Sequence, residues 1–290
     1  MKEQFISKRF SSQSLDKVIQ AEVIINEYER QGFQLTLRQL YYQFVSRGYI
    51  KNTPREYARL GSVINDARLC GLIDWDAISD RSRYLRSRTH WDSPRQIIES
   101  AIHGYYVNKW QDSDQYVEVW VEKEALIDIV EQITRLWDCP CFACKGYVSQ
   151  TAMYEAAQRF ASYGGVCDCT LFYLGDHDPS GLDMTRDIQE RLNTFGGGVE
   201  VERLALNMDQ IREHNPPPNP AKTTDSRFKG YILEHGRESW EVDALEPKIL
   251  SQLIENAILS KLDKEVWNQN VQREEREKAK MIGLLKYLEE

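Results

Sequence analysis

The chain has 290 residues, of which 41% are hydrophobic and 28% charged, and its formal net charge is −8 at pH 7. This composition suits one large or two ordinary globular domains with a full apolar core. The first ten residues, MKEQFISKRF, lack the apolar stretch of a signal peptide, and no run approaches the roughly 18–20 apolar residues of a membrane span. We therefore expect a cytoplasmic protein with no membrane partner.

Charge is distributed unevenly along the chain. Residues 1–110 hold 17 Lys and Arg against 12 Asp and Glu, a net of +5, whereas residues 111–290 hold 20 against 33, a net of −13. A basic first part indicates a surface for a polyanion such as double-stranded DNA, and an acidic second part concentrates carboxylates. Charge alone also allows two ordinary solvated surfaces.

The basic part begins with a series of short helices. Apolar residues at helical spacing predict helices over residues 13–31, 37–47 and 54–69. A loosely alternating segment, 72–78, then leads into a basic stretch. This stretch contains Arg81, Arg83, Arg86 and Arg88. Three helices followed by a basic hairpin is the order of a winged helix, in which these arginines would contact DNA phosphates. A solvated basic loop is the alternative.

The acidic part alternates between strands and helices. After a predicted helix over residues 93–112, strands are predicted at 117–121, 141–145, 168–174 and 199–206, with helices at 124–136, 149–161 and 180–193. This order is typical of an α/β domain with a parallel, Rossmann-like sheet, which gathers ligand groups at the carboxyl ends of its strands. Residues 207–230 include a proline-rich stretch and are predicted to be a loop, and the chain from residue 245 onward is predicted to be helical.

Three carboxylates follow the first and third predicted strands. Glu122 belongs to V-E-K-E, and Asp176 and Asp178 belong to G-D-H-D-P-S-G. These strand ends share one edge of a parallel sheet, where like charges within about 4–6 Å repel each other unless a cation lies between them. Hard oxygen ligands suit Mg²⁺, which also meets phosphate oxygens. We predict a Mg²⁺ site made of Glu122, Asp176 and Asp178, with His177 an exposed loop residue.

Six cysteines lie near predicted strands. They are Cys70, Cys139, Cys141, Cys144, Cys167 and Cys169. Their C-x-C and C-x-x-C spacings admit a zinc site. Buried free thiols in a cytosolic protein are the favoured interpretation.

The carboxylate motifs resemble those of the Toprim domain found in topoisomerases, primases and related nucleases. The resemblance rests on Glu122 and on D-H-D-P-S-G at 176–181. It implies that Glu122 acts as a general acid or base, or as a metal ligand. It also implies that Asp176 and Asp178 bind Mg²⁺.

The segment T-L-R-Q-L-Y-Y, residues 36–42, resembles the catalytic segment of topoisomerase VI A subunits and of the meiotic double-strand-break protein. The resemblance implies that Tyr42 attacks DNA to form a 5′-phosphotyrosyl link. Arg38, one helical turn earlier, would hold the phosphate. Tyr41 is expected to be a core residue, and packing is the alternative role for Tyr42.

Two further segments resemble those A subunits. They are K-G-Y at 145–147, followed by Val148 where proline is usual, and E-V-D-A-L at 241–245. Lys145 is accordingly expected to contact DNA. The resemblance covers about residues 30–250 and is greatest to the short, stand-alone Mini-A group of bacterial and phage genomes; the Wadjet nuclease subunit shares the same pair of modules.

The resemblance also implies a domain organisation. It predicts a winged-helix domain over residues 1–95, a connecting helix over 96–115, and a Toprim domain with a helical extension over 116–290. It implies a homodimer whose active site is shared between subunits. A GHKL-type ATPase partner is left open, and no ATP-binding motif is visible in this chain.

Three functions are consistent with these patterns. The favoured one is Mg²⁺-dependent DNA cleavage by tyrosine transesterification, with Tyr42, Arg38 and Glu122 as catalytic residues. The second keeps the metal site but uses water, as a hydrolytic Toprim nuclease does. The third is a DNA-binding module that cuts only with a partner.

Overall fold

The computed structural model describes residues 2–79 and 90–286 of the chain. Its helices are α1 Ser12–Glu29, α2 Leu37–Ser46, α3 Pro54–Leu69, α4 Pro94–His103, α5 Ile127–Leu136, α6 Gln150–Tyr163, α7 Pro179–Thr194, α8 Met208–His214, α9 Phe228–His235, α10 Pro247–Lys261 and α11 Lys264–Lys286. Its strands are β1 Leu35–Thr36, β2 Ile78–Ser79, β3 Gln115–Val121, β4 Cys141–Ala143, β5 Asp168–Leu174, β6 Val199–Ala205, β7 Asn219–Pro220 and β8 Glu238–Ser239.

The first core is built from α1, α2 and α3. Each helix begins at a side-chain cap, because Ser11, Thr36 and Thr53 accept hydrogen bonds from backbone N–H groups of the first turn. The predicted helices are therefore found close to their expected positions. The four arginines of the predicted wing, Arg81 to Arg88, lie outside the described residues.

The second core surrounds a four-stranded sheet in the order β4-β3-β5-β6, with all neighbours parallel. This confirms the predicted mixed α/β fold with a Rossmann-like parallel sheet. Val119 and Phe172 pack on α5 and α10, whereas Trp120 and Tyr173 pack on α6 and α7. Both faces are covered, which explains the nearly continuous apolar character of β3 and β5.

The strand order places the switch point of the sheet between β3 and β5. The chain runs from β3 outward to β4, returns past β3 to β5, and continues to β6. Loops leaving the carboxyl ends of β3 and β5 therefore diverge to opposite faces and leave a crevice between them. Glu122 follows β3 and Asp176 follows β5, so both stand at this crevice.

Two predicted segments differ from the structure. Part of the loop predicted over 207–230 is helical, since α8 begins at a capping box made by Asn207 and Gln210. Seven residues are too few to show an apolar period, which is why the sequence pattern did not indicate a helix. The helix predicted over 93–112 covers only Pro94–His103, and its last turn is followed by Gly104.

The remaining helices close the sheet domain from one side. Leu250 and Ile254 of α10 pack in the same apolar cluster as α5. None of the helices within residues 2–79 and 90–286 is both long and apolar enough to cross a membrane. All six cysteines are free thiols, and Cys139, Cys144 and Cys169 are buried.

Candidate functional site

The carboxyl ends of β3 and β5 bring Glu122 and Asp176 together. Val121 lies opposite Leu174 in the register of the two strands, and the backbone N–H of Glu122 donates to the carbonyl of Leu174 at 2.8 Å. Directly beyond this pair, Oε2 of Glu122 accepts a hydrogen bond from the backbone N–H of Asp176 at 2.9 Å. The sheet thus places these two predicted site residues in direct contact.

Asp178 has a structural role at the start of α7. Its Oδ1 accepts from the backbone N–H of Gly181 at 2.6 Å and from Ser180 Oγ at 2.8 Å, so it caps the helix. Gly181 is required by space, because a Cβ atom there would lie 2.2 Å from the carbonyl oxygen of Asp176. The D-x-D-P-S-G pattern therefore encodes a tight strand-to-helix turn as well as two carboxylates.

Arg203 of β6 fixes the backbone of this turn from below. Its Nη2 donates to the carbonyls of Gly175 at 2.9 Å and Asp176 at 2.6 Å, and its Nη1 donates to the carbonyl of Gly181 at 3.0 Å. Burial lowers the pKa of this guanidinium, and nearby carboxylates partly offset that cost. Nothing in the sequence motif indicated that a residue 22–28 positions away would hold the loop.

The prediction for His177 is wrong, because its side chain is buried rather than exposed. His177 and Trp240 exchange backbone hydrogen bonds of 2.8 and 3.0 Å, and Nδ1 of His177 lies 3.0 Å from the hydroxyl of Tyr231. Burial lowers the pKa of His177 to about 4. The imidazole is therefore neutral at pH 7, and its ring contacts Tyr231 and Trp240.

The carboxylates at the crevice sit in a weakly solvated setting. Burial raises the pKa of Asp176 to about 7, although Lys123 lowers it in part. Burial also raises the pKa of Glu122, and the hydrogen bond from the Asp176 backbone opposes that shift. A positive charge placed here would therefore be held strongly.

Lys123 supplies one such positive charge from within the chain. Its Nζ lies 3.0 Å from Asp176 Oδ1, 2.6 Å from Glu241 Oε2 and 2.9 Å from Asp243 Oδ1. The sequence pattern predicted a divalent cation that relieves the repulsion among these carboxylates. In the structure this lysine relieves part of it.

Arg38 approaches the same acids from α2. Its Nη2 donates to Glu241 Oε2, and its Nε lies 2.8 Å from Asp243 Oδ2. The latter N–H is not directed at the oxygen, so the contact is an ion pair rather than a hydrogen bond. Glu241 has a pKa of about 2, because Lys123 and Arg38 outweigh the effect of burial, which alone would raise it.

Tyr42 lies on the same side of α2 as Arg38. The guanidinium carbon of Arg38 is 5.8 Å from the centre of the Tyr42 ring, and only 4% of Tyr42 is exposed. Burial raises the pKa of the Tyr42 hydroxyl, Asp243 and Glu241 raise it further, and Arg38 opposes them. Tyr41 is also 4% exposed and donates to Asn52, as expected for a packed residue.

One cavity brings α2 beside the loop that carries Asp176 and Asp178, here called the acidic loop. It has a volume of about 460 Å³, and its walls include Tyr42 and Arg38 from α2 together with Asp176 and Asp178 from the β5 loop. Lys222, whose side chain is 73% exposed, stands at its rim with Nζ 4.0 Å from Asp178 Oδ2. The resemblance implies that the tyrosine faces the acidic loop of a second subunit, yet here both line a cavity of one chain.

Two other predicted residues lie beside the cavity rather than in it. Lys145 has a 62% exposed side chain, and its Nζ pairs with Glu124 at 2.7 Å. Asp183 of α7, which the sequence also allows as a metal neighbour, pairs with Arg186 and Arg227 at 2.7 and 2.8 Å. Neither arrangement adds a ligand to the acidic loop.

The three predicted metal ligands do not form a preformed cation site. Within the described part of the chain, no group of three or more His, Cys, Asp and Glu side chains is arranged to hold a metal. One oxygen each of Glu122, Asp176 and Asp178 accepts a hydrogen bond from a backbone N–H, and the other oxygen of Asp178 lies 4.0 Å from Lys222 Nζ. Mg²⁺ is commonly bound through one or two carboxylates plus waters and substrate phosphates.

Sequence reasoning missed the roles of three charged residues. Lys123 was visible as the K of V-E-K-E, and Glu241 and Asp243 were visible in E-V-D-A-L. The sequence did not show that Lys123 contacts Glu241 and Asp243, which lie 118 and 120 positions further along the chain. The available signal was charge of opposite sign in two otherwise apolar segments.

No protein-family model matches the chain, and no curated protein sequence matches it. The family resemblance therefore rests on the sequence motifs alone.

Proposed function

We propose that this protein cleaves DNA through a covalent tyrosine intermediate, with Mg²⁺ at the acidic loop. The observation that carries the proposal is the shared cavity. A buried tyrosine, an arginine one helical turn away and two carboxylates of the β5 loop line the same 460 Å³ space. A nucleophile, a phosphate-binding cation and an anionic cluster are the parts that a phosphodiester transfer requires.

In the proposed reaction the hydroxyl oxygen of Tyr42 attacks a backbone phosphorus. A bond forms between that oxygen and phosphorus, and the bond from phosphorus to the 3′ oxygen breaks. The phenolic proton leaves Tyr42 and the 3′ oxygen gains a proton, so the products are a 5′-phosphotyrosyl link and a free 3′ hydroxyl. Arg38 holds the phosphate, since guanidinium groups bind its oxygens in pairs.

Glu122 is the proposed acid or base for the proton transfers. Burial raises the pKa of its carboxyl, which moves it toward the range useful for exchange near neutral pH. The metal would be held by Glu122, Asp176 and Asp178. When bound, Mg²⁺ supplies stabilisation for charge that develops on the phosphate.

The fold of the first part supports a DNA-binding role. Helices α1 to α3, with the short parallel pair of β1 and β2, are consistent with the helical half of a winged helix. The basic stretch and Lys145 are proposed to contact phosphates, as is Lys222 at the cavity rim. Double-stranded DNA is the proposed partner. A homodimer and a GHKL-type ATPase partner are further proposals from the resemblance.

A hydrolytic reaction is the second candidate. It is favoured by the burial of Tyr42, whose hydroxyl is enclosed and whose pKa is raised, chiefly by that burial. In that case water would attack at the acidic loop, and the product would carry a free 5′ phosphate.

The test is a search for protein attached to DNA 5′ ends after incubation with supercoiled DNA and Mg²⁺. Tyr42→Phe should abolish the attached species, lowering it by at least about a hundredfold. Tyr41→Phe is the matched control, because it removes the neighbouring hydroxyl of the same helix. Cleavage that persists in Tyr42→Phe with free 5′ phosphates would establish the hydrolytic reaction instead.

A further inference from the structure

Two acids stand between Arg38, which lines the cavity, and Lys123, which follows Glu122. Glu241 and Asp243 contact Arg38 on one side and Lys123 on the other, and the Asp243 side chain has no exposed surface. A carboxylate with no exposure is tolerated only when cations are in contact with it. Here Arg38 and Lys123 meet that requirement together, so all four groups are fixed relative to one another.

The four groups come from separate parts of the fold. Arg38 belongs to α2 of the first core, and Lys123 directly follows β3 and Glu122. Glu241 and Asp243 belong to the short turn between β8 and α10. The acid pair therefore connects the helix that carries Tyr42 to the end of β3, where Lys123 also contacts Asp176 of the acidic loop.

A second contact connects the same parts. Asn52, between α2 and α3, donates to Asn219 Oδ1 of β7 at 2.7 Å, and Asn219 Nδ2 donates to Glu241 Oε1 at 3.3 Å. Asn219 also lines the cavity that Tyr42 lines. The segment that follows the Tyr42 helix is thus joined to Glu241 through Asn219 of the same chain.

We propose that Glu241 and Asp243 are positioning residues that, through Arg38 and Lys123, assemble the tyrosine and the acidic loop into one site within a single chain. The inference rests on the proposed function for its chemical meaning. It goes beyond that function by stating that one chain supplies both the tyrosine and the acidic loop. An ion-pair bridge suits this task, because the direction of a guanidinium depends on two fixed carboxylates rather than on flexible packing.

The first experiment measures the rate of adduct formation at saturating DNA and Mg²⁺. Glu241→Gln and Asp243→Asn should each slow it by about ten- to a hundredfold, because a small displacement of Arg38 or Tyr42 costs that much. The DNA concentration at half-maximal rate should stay within about twofold of wild type. Glu238→Gln, an exposed acid of the same segment, is the control and should leave the rate unchanged.

Three results would overturn the positioning role. The first is a loss confined to DNA affinity, and the second is a loss of rate that follows only a fall in Tm. The third is a faster rate, which would show that the ion pairs restrain Arg38.

The second experiment mixes two inactive chains. Tyr42→Phe and Asp176→Asn are unfolded together, refolded and assayed. A site within one chain predicts no more adduct than either variant gives alone. A site shared between subunits predicts recovery of about a quarter of wild-type activity from randomly paired dimers, and that recovery would overturn the inference.

Failure of the proposed function gives a different result. If the wild-type protein forms no adduct, the reaction is wrong, and a double-mutant cycle on Tm then tests the bridge. Arg38→Met and Glu241→Gln should shift Tm non-additively, because each removes the partner of the other. Additive shifts would show that the contact does not join the two parts.

Discussion

At the scale of single residues, the acidic loop is shaped by groups that carry no catalytic role. Gly181 leaves room for the carbonyl of Asp176, Arg203 binds three carbonyls of the turn, and His177 fills the space beneath it. Replacing any of these three residues would change the geometry of the turn before it changed the charge of the site. The positions of Asp176 and Asp178 therefore depend on packing as much as on the motif.

Gly181→Ala tests this dependence. The added Cβ would lie 2.2 Å from a backbone oxygen, so the turn must move. We expect a destabilisation of about 1–3 kcal/mol, typical of overpacking, together with loss of cleavage. The measurement is urea unfolding beside the adduct assay. Gly230→Ala is the matched control, since a Cβ there would meet nothing within 4 Å; equal stability of the two variants would contradict this account of the turn.

The sequence predicted the positions of some site residues and not of others. The spacing in G-D-H-D-P-S-G was enough to place Asp176 and Asp178 at a strand end, because that property is local. The burial of His177 was not predictable, since it depends on Trp240 and on Tyr231, 54 positions away. The contact of Lys123 with Glu241 and Asp243 was hidden for the same reason.

At the scale of elements, the chain follows its local signals closely. Side-chain caps and prolines mark the starts of α2, α3 and α7, and Gly48 and Gly71 adopt positive φ just past the ends of α2 and α3. The strand β5 has the bounds that its apolar run predicted. The short helix α8 was missed, because one and a half to two turns give too few apolar positions to define a period.

The helix α11 is joined to the sheet domain by a largely enclosed ion pair. Lys109 Nζ contacts Glu274 Oε2, which also accepts from the backbone N–H of Val107 at 2.8 Å. The side chains of Lys109 and Glu274 are 10% and 12% exposed. Although burial alone would raise it, the pKa of Glu274 is lowered to about 2 by its hydrogen bonds from Lys109 and Lys278.

This pair predicts a pH dependence of stability. A carboxyl whose pKa is depressed on folding contributes stability above its unfolded pKa, and that contribution is lost as pH falls from about 4.5 toward 2. At pH 7, Glu274→Gln should cost about 2–3 kcal/mol, because Lys109 is left buried without its partner. The difference from wild type should shrink below pH 4.5.

The measurement is urea unfolding across this pH range. Glu275→Gln, an exposed neighbour on the same helix, is the control. A difference between Glu274→Gln and wild type that stays constant from pH 7 to pH 2 would contradict the assignment.

At the scale of the whole molecule, an acidic protein is proposed to bind DNA. The net charge of −8 opposes a polyanion, while the surplus of +5 over residues 1–110 favours it. Binding should therefore be local, steeply dependent on salt, and carried by the first part of the chain together with Lys145 and Lys222. The acidic surplus of −13 over residues 111–290 should keep DNA away from the remaining surface of the second part.

Replacing the four arginines between Arg81 and Arg88 with glutamine tests this division. The slope of log K against log salt should become shallower by up to about 0.9 for each phosphate contact removed. The matched control neutralises four basic residues of the second part, away from the cavity, such as Lys229, Lys248, Lys261 and Lys264. A slope that changes equally in both variants would contradict a localised DNA surface.

The central claim is that Tyr42 becomes bonded to DNA. The most direct measurement is mass spectrometry of the adduct after nuclease and trypsin digestion, since cleavage after Arg38 and Arg47 releases both candidate tyrosines in one short peptide. Tyr42 should carry a nucleotide phosphate, and Tyr41 should carry none. Phosphate on any other residue, or DNA cut with free 5′ phosphates and an unmodified peptide, would contradict it.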